Sequence, residues 1–443
     1  MQYPHYVREG LLFIWFLLFL TFLIAKSSFL QAGIWYVVSQ WWWVLLGFVF
    51  ILPAWQAWVR YWELQFAKRV YDKMIFLRIT LAPDMEQTPR GMEHVFYNIH
   101  GMTRSYIRWS DRVFFRERPA WISCEMVAIG NSFSFIVGVE KMRRSFIEAQ
   151  LYSQYPDIRI EEVADYTQTI PPEAPNDDWQ MWGVHYVLNE PDVWMIRTYK
   201  SWELEKESEA KRKVDPISHL AELSASLKPG EQVWVQLVMS PLVPGAWRRK
   251  AQALRSSFDK PQTEKPDAMT QIFTGVGDFL GLLAGKEPVE EKQERETRYY
   301  VSTQEKVAIE VLGLKIEAPH YQTNLRAIYW APKEVFDRSR TSAINGFVRS
   351  YDDWTGNWFR MERRTRIRNR HFPHLFTERR LQKKRKSMLW YYKVRYLSGG
   401  FGFMFNTTEL ASLFHFPGPE VAAPALRRLP FKKGKPPMEL PTV

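Results

Sequence analysis

Between residues 73 and 166 the apolar residues repeatedly change their spacing, and this alternation limits the fold more than any other feature of the chain. "KMIFLRITL" (73–81) reads as a strand. In "DMEQTPRGMEHVFYNIHGM" (84–102), Met92, Val95, Phe96, Ile99 and Met102 recur every three or four residues, as they would on one face of a helix. "AWISCEMVAI" (120–129) and "SFSFIVGV" (132–139) are strands around Gly130-Asn131, a hairpin signal. "KMRRSFIEAQLYSQY" (141–155) is a helix and "IRIEEVADY" (158–166) a strand. The order is βαββαβ, the ferredoxin-like split motif.

The order recurs. "MWGVHYVL" and "VWMIRTY" flank the turn "NEPD" (189–192), followed by a helix over 215–227 and a strand over 232–240. Then come a strand over 324–331, a helix over 332–351 and a strand near "NWFRME". An insertion at about 258–300, with polar flanks around the Gly-broken "MTQIFTGVGDFLGLLAG", splits this second unit. Phe96, Ile99, Phe135, Ile136, Leu151, Val235, Leu237, Ile328 and Phe347 are the expected core.

Ahead of these elements lie two apolar runs, at 11–25 and 34–59, each close to the ~20 residues that cross a hydrocarbon layer. Trp35, Tyr36, Trp55, Trp58, Tyr61 and Trp62 bracket the second run like an aromatic belt. Arg60, Lys68, Arg69 and Lys73 follow it, against Lys26 in the intervening loop, which orients the remainder toward the cytoplasm. The single cysteine, Cys124, cannot form an intrachain disulfide, in keeping with a reducing compartment. The expectation is an α+β protein with two N-terminal transmembrane helices and two ferredoxin-like units, the second interrupted by an insertion. Its parts are a membrane anchor (1–62), the two units (63–170 and 171–360), and a basic strap with a C-terminal docking segment (361–443).

No motif announces catalysis. "GLLAGKE" (281–287) has one residue too few between its glycines for a phosphate loop, and Glu287 stands where Ser or Thr would hold magnesium. His371 and His374 lack the cysteine partners usual in structural zinc sites. Asp177-Asp178 and Asp352-Asp353 are sequence neighbours, which do not face each other on a helix. The expectation is a non-enzyme without a cofactor or metal, and the alternative is a membrane-bound enzyme with a pocket between the two units.

The net charge of +12 calls for an anionic partner, and the charge concentrates at 360–395, which holds fourteen Lys or Arg against Glu362 and Glu378. Aromatics interleave with the cations. Arg363, Arg364, Arg366, Arg368, Arg379, Arg380, Lys383, Lys384, Arg385 and Lys386 are the candidate contacts to anionic lipid or nucleic acid.

"FMFNTTELASLFHFPG" (403–418) is a capped helix, with Asn406 or Thr407 at its start, Glu409 reaching back, and Pro417-Gly418 ending it. Leu410, Leu413 and Phe414 form one face, expected to dock against the second unit or a partner, while Thr407, Thr408 and Ser412 face away. The segments at 81–101, 121–166 and 403–441 resemble the membrane-anchored N-terminal region of bacterial type IV secretion or conjugation-type coupling proteins. In longer members of that family the region precedes a HerA/FtsK-like ATPase. The resemblance implies an accessory component at the bacterial inner membrane, acting with an ATPase on a separate chain and other secretion components. A homo-oligomer is a further expectation.

Overall fold

The computed structural model describes residues 28–83, 85, 88–101, 110, 114, 121–171, 178–202, 215–242, 245–258, 303–367, 377–418 and 425–428. The first expected span, at 11–25, lies outside these residues, as do Arg368 and the body of the insertion. The chain divides into two compact units, Met1–Phe66 with Ile107–Arg118, and Ala67–Tyr106 with Pro119–Val443.

The described part of the first unit is helical. Helix α1 (Ser28–Tyr71) contains Pro53 and ends in the second unit. It includes the second expected span, yet among the described residues no helix is long and apolar enough to cross a membrane. The two-helix membrane anchor is therefore not supported. Much of the run is indole and phenol, whose polar edges suit an interface better than hydrocarbon, and Ser39, Gln40 and Gln56 interrupt it.

The second unit is built on one antiparallel sheet of nine strands. Its first half is β1 (Met74–Thr80), α2 (Pro89–His100), β2 (Ile122–Ile129), β3 (Ser132–Glu140), α3 (Arg144–Gln154) and β4 (Arg159–Val163). The second half is β5 (Trp179–Leu188), α4 (Ile217–Ala225), β6 (Gln232–Leu242), β7 (His320–Pro332), α7 (Ser339–Arg349) and β8 (Phe359–Met361). Between β6 and β7 the chain leaves through α5 (Gly245–Phe258) and returns through α6 (Thr303–Glu317). The strand order is β4-β1-β3-β2-β6-β7-β5-β8. Each half thus places its first strand between its third and fourth. Two separate sheets were expected, but the halves share one. Edge strands β2 and β6 pair along their lengths, with Glu125 opposite Gln236.

This fusion explains why β6 is buried at ten of its eleven residues. It has strand partners on both sides and packed layers on both faces. The outer strand β4 is the opposite case: its exposed residues are charged, and Arg78 pairs with Glu161 at 2.9 Å. Charge on an edge strand opposes pairing with another sheet. All nine expected core residues are buried.

Helices α2, α3, α4 and α7 cover one face. The other face is covered as well, by α8 (Thr377–Lys393), whose Met388, Leu389 and Tyr392 pack on Met181, Trp234, Ile328 and Trp330. The basic stretch is thus partly a cover helix rather than a strap. Gly183 of β5 permits the close approach, since a Cβ there would lie 3.0 Å from Met388 Cγ.

The C-terminal segment also departs from expectation. Strand β9 (Phe403–Asn406) pairs with β7 over His320–Thr323, beyond the stretch that β5 occupies. Helix α9 (Thr407–Leu413) has a full capping box between Asn406 and Glu409. Leu410, Leu413 and Phe414 are buried in this chain's own core, against the first half rather than a partner, with Phe414 edge-on to Phe135 at 5.7 Å. Thr407, Thr408 and Ser412 are buried too. Hydrogen bonds make that tolerable: Thr408 donates to Glu93 at 2.6 Å, and Ser412 accepts from the Tyr199 amide at 2.9 Å. Farther on, Leu426 and Arg428 bridge to Phe133 and Leu81. The segment laces the two halves together.

Phe414→Ala should therefore lower the stability of the full chain by ~3–5 kcal/mol, from lost burial plus a cavity. Urea denaturation measures this, and a wild-type midpoint would contradict the core placement.

Candidate functional site

Helix α8 is the frame of the site. Its sequence, "TERRLQKKRKSMLWYYK", contains no Gly or Pro, and Glu378 occupies the first turn, where a carboxylate complements the helix dipole. Arg380, Lys383, Lys384, Ser387, Met388 and Tyr391 fall at positions i, i+3, i+4, i+7, i+8 and i+11 and share a face. With Arg364, Thr365 and Phe401 they line a cavity of about 340 Å³. Four of these nine residues are cationic and none is acidic.

The opposite wall is held by backbone hydrogen bonds to β5. The Glu362 amide donates to the His185 carbonyl at 2.9 Å, and the Thr365 hydroxyl accepts from the His185 amide at 3.2 Å. Glu362 also accepts from the Arg364 amide at 3.0 Å, so the one nearby acid of this loop is turned onto its own backbone. Lys384 donates to the Arg366 carbonyl at 3.4 Å, tying the helix to the loop. Burial pulls the Lys384 ammonium below its usual range.

Beneath the helix, a row of polar side chains crosses the sheet in register: His185, Arg326, Gln236 and Glu125. All four are fully buried. Arg326 donates to the carbonyls of Tyr391 and Tyr396, binding the last turn of α8 and the chain just beyond it to the sheet. Burial lowers its pKa to about 10, which leaves it charged at neutral pH. Arg395 lies just past α8 with a positive φ of 49°. It pairs with Glu125 at 3.0 Å and with Asp165 at 2.9 Å. Burial alone would depress the Arg395 pKa, but Glu125 and Asp165 reverse this and hold it well above the usual range. Asp165 likewise stays ionised against the cost of burial, through Arg395 and the Thr167 amide. Tyr166 donates to Glu125 at 2.7 Å, and Gln236 donates to it at 2.9 Å.

His185 ends the row differently. Neither of its ring nitrogens meets a hydrogen-bond partner among the described residues. Burial first, and then the Arg326 charge, hold its pKa well below the usual value.

Of the ten expected contact residues, Arg364, Arg380, Lys383 and Lys384 come together at the cavity. Arg363, Arg379 and Lys386 are exposed outside its lining, and Arg366 and Arg385 are half-buried outside it. Tyr391 is one of the aromatics interleaved with the cations, but the charge pattern gave no sign of Thr365 or Phe401, and none of His185. The only local signal was a polar residue in the apolar strand "MWGVHYVL", and a phenylalanine among the glycines of "SGGFG". Where the two halves meet, β2 and β6 form a strand pair rather than a cleft. Three or more grouped metal-ligating side chains are likewise not found among the described residues. No family model and no curated protein matches the chain.

The titration of this face sets a pH dependence. His185 is neutral in the fold and has an ordinary pKa of 6.5 when unfolded, so the unfolded state binds more protons and stability falls below that pH. Asp165, with its depressed pKa, adds a further loss as pH falls through the carboxylate range. Denaturant midpoints of the full chain should therefore decline from about pH 6.5 downward, and His185→Phe should flatten the upper part of that decline. A wild-type midpoint unchanged down to pH ~4.5 would contradict the buried neutral imidazole.

Proposed function

We propose that this protein is a non-catalytic component of a type IV secretion or conjugation-type translocation machine, holding a single strand of nucleic acid at the α8 cavity. A HerA/FtsK-like ATPase on another chain supplies the mechanical work. The observation that carries this reading is the convergence of Arg364, Arg380, Lys383 and Lys384 on a cavity that Tyr391 and Phe401 also line. Cations neutralise backbone phosphates, and aromatic rings stack on unpaired bases without demanding a sequence. A concave site on a helix anchored to a sheet suits a threaded strand better than the flat face of a lipid leaflet. The resemblance of the segments at 81–101, 121–166 and 403–441 to coupling-protein N-terminal regions supports the setting, with other secretion components and further copies of this chain as neighbours.

The test is fluorescence anisotropy of a labelled oligothymidylate with the full chain across ~50 to ~200 mM salt. Affinity should fall steeply with salt. Arg380→Glu and Lys383→Glu should each weaken binding about tenfold and reduce the slope of log K against log salt by about 1. Binding to anionic vesicles without binding to the oligonucleotide would overturn the nucleic-acid reading in favour of lipid. Unchanged affinity in both variants would remove the cavity from the function.

A further inference from the structure

Two aromatic rings separate the unpartnered His185 from the cavity. Phe401 lies nearly parallel on the imidazole, with centroids 4.8 Å apart and planes at 22°. Tyr391 meets the same ring edge-on at 5.6 Å. Both rings line the cavity, while His185 is fully buried behind them. A buried imidazole with neither nitrogen satisfied is costly, and native interiors seldom keep one without a use.

Phe401 is held unevenly. At Gly402 an added Cβ would lie 3.1 Å from the Ser398 carbonyl oxygen, and β9 begins at the next residue, so this side is fixed. At Gly400 an added Cβ would meet nothing nearer than 3.9 Å. The backbone is thus closely packed on the β9 side of Phe401 and open at Gly400.

We propose that Phe401 occupies the seat of a nucleobase: an unpaired base displaces its ring and stacks on the His185 imidazole beside Tyr391, while Arg380 and Lys383 hold the flanking phosphates. The seat takes a flat heteroaromatic ring with polar edges. A phosphate chain alone leaves Phe401 in place and His185 covered. This rests on the nucleic-acid reading above and adds a base-dependent step to it. The geometry accounts for two features together: the parallel stacking on the imidazole and the cationic rim.

Two labelled oligonucleotides separate the possibilities, one of thymidines and one of equal length whose central positions are abasic. The full chain should bind the thymidine strand about tenfold more tightly, the scale of one stacked base. In His185→Leu, which removes the stacking face, that ratio should fall to near 1. This variant replaces an unsatisfied polar ring with an apolar side chain of similar volume, so urea denaturation should show a fold at least as stable at neutral pH. In Phe401→Ala, which vacates the seat, the ratio should rise several-fold, and 2-aminopurine placed at the central position should be quenched more strongly. Equal binding of both strands by the wild type, or a ratio indifferent to His185→Leu, would overturn the base seat while leaving the phosphate contacts standing. Failure to bind either strand would instead fall on the proposed function itself.

Discussion

The ion pairs of Arg395 hold together parts of the chain that nothing local would bring into contact. This guanidinium lies just past the end of α8 and reaches Glu125, in the middle of β2, and Asp165, after β4. It also lies over the Phe76 ring at 4.1 Å. With Arg326 beside it, two guanidiniums face two carboxylates, so the cluster closes near neutrality in a water-free layer. A buried cluster of this kind adds little net stability over an apolar replacement, but losing one partner leaves an uncompensated charge and costs ~3–5 kcal/mol. Its effect is on register. It admits one placement of α8 on the sheet, which is the placement that brings Arg380, Lys383 and Lys384 opposite Arg364.

From that anchor the site follows. The polar row of β2, β6, β7 and β5 ties the last turn of α8 down through Arg326, and the apolar side of the helix seals the layer. The outward cations are left on a rigid element, with an aromatic rim formed by Tyr391 from the helix and Phe401 from the loop before β9. Because β9 and α9 are themselves core, that loop is fixed at one end. The C-terminal segment therefore works within the fold: it closes the join between the halves and presents Phe401 at the cavity.

Much of the sheet was legible because apolar spacing is local. The strands and helices between Met74 and Val163 were each marked by spacing, and Asn406 with Glu409 marked the cap of α9. What could not be read was non-local. Partner choice between β2 and β6 depends on two edges more than a hundred residues apart, and its only trace was that β6 carries no charged residue and β2 only Glu125. The N-terminal aromatics misled because an indole-rich run counts as apolar without being hydrocarbon-like. Thr408 and Ser412 looked solvent-facing, yet Glu93 and the Tyr199 amide satisfy them in the core. The basic run was plain, but which four of its cations share a cavity is set by α8 packing over Gly183. His185 had no signal beyond a polar residue in an apolar strand.

The most direct test of the anchoring role is hydrogen exchange on the full chain carrying Arg395→Met. With Glu125 and Asp165 left unpaired, amides across Thr377–Lys393 should exchange about a hundredfold faster, the kinetic equivalent of ~3 kcal/mol of local opening. The paired strands β2 and β6 should keep most of their protection. Unchanged protection of Thr377–Lys393 would show that apolar packing alone holds the helix, and would contradict the dependence of the cavity on Arg395.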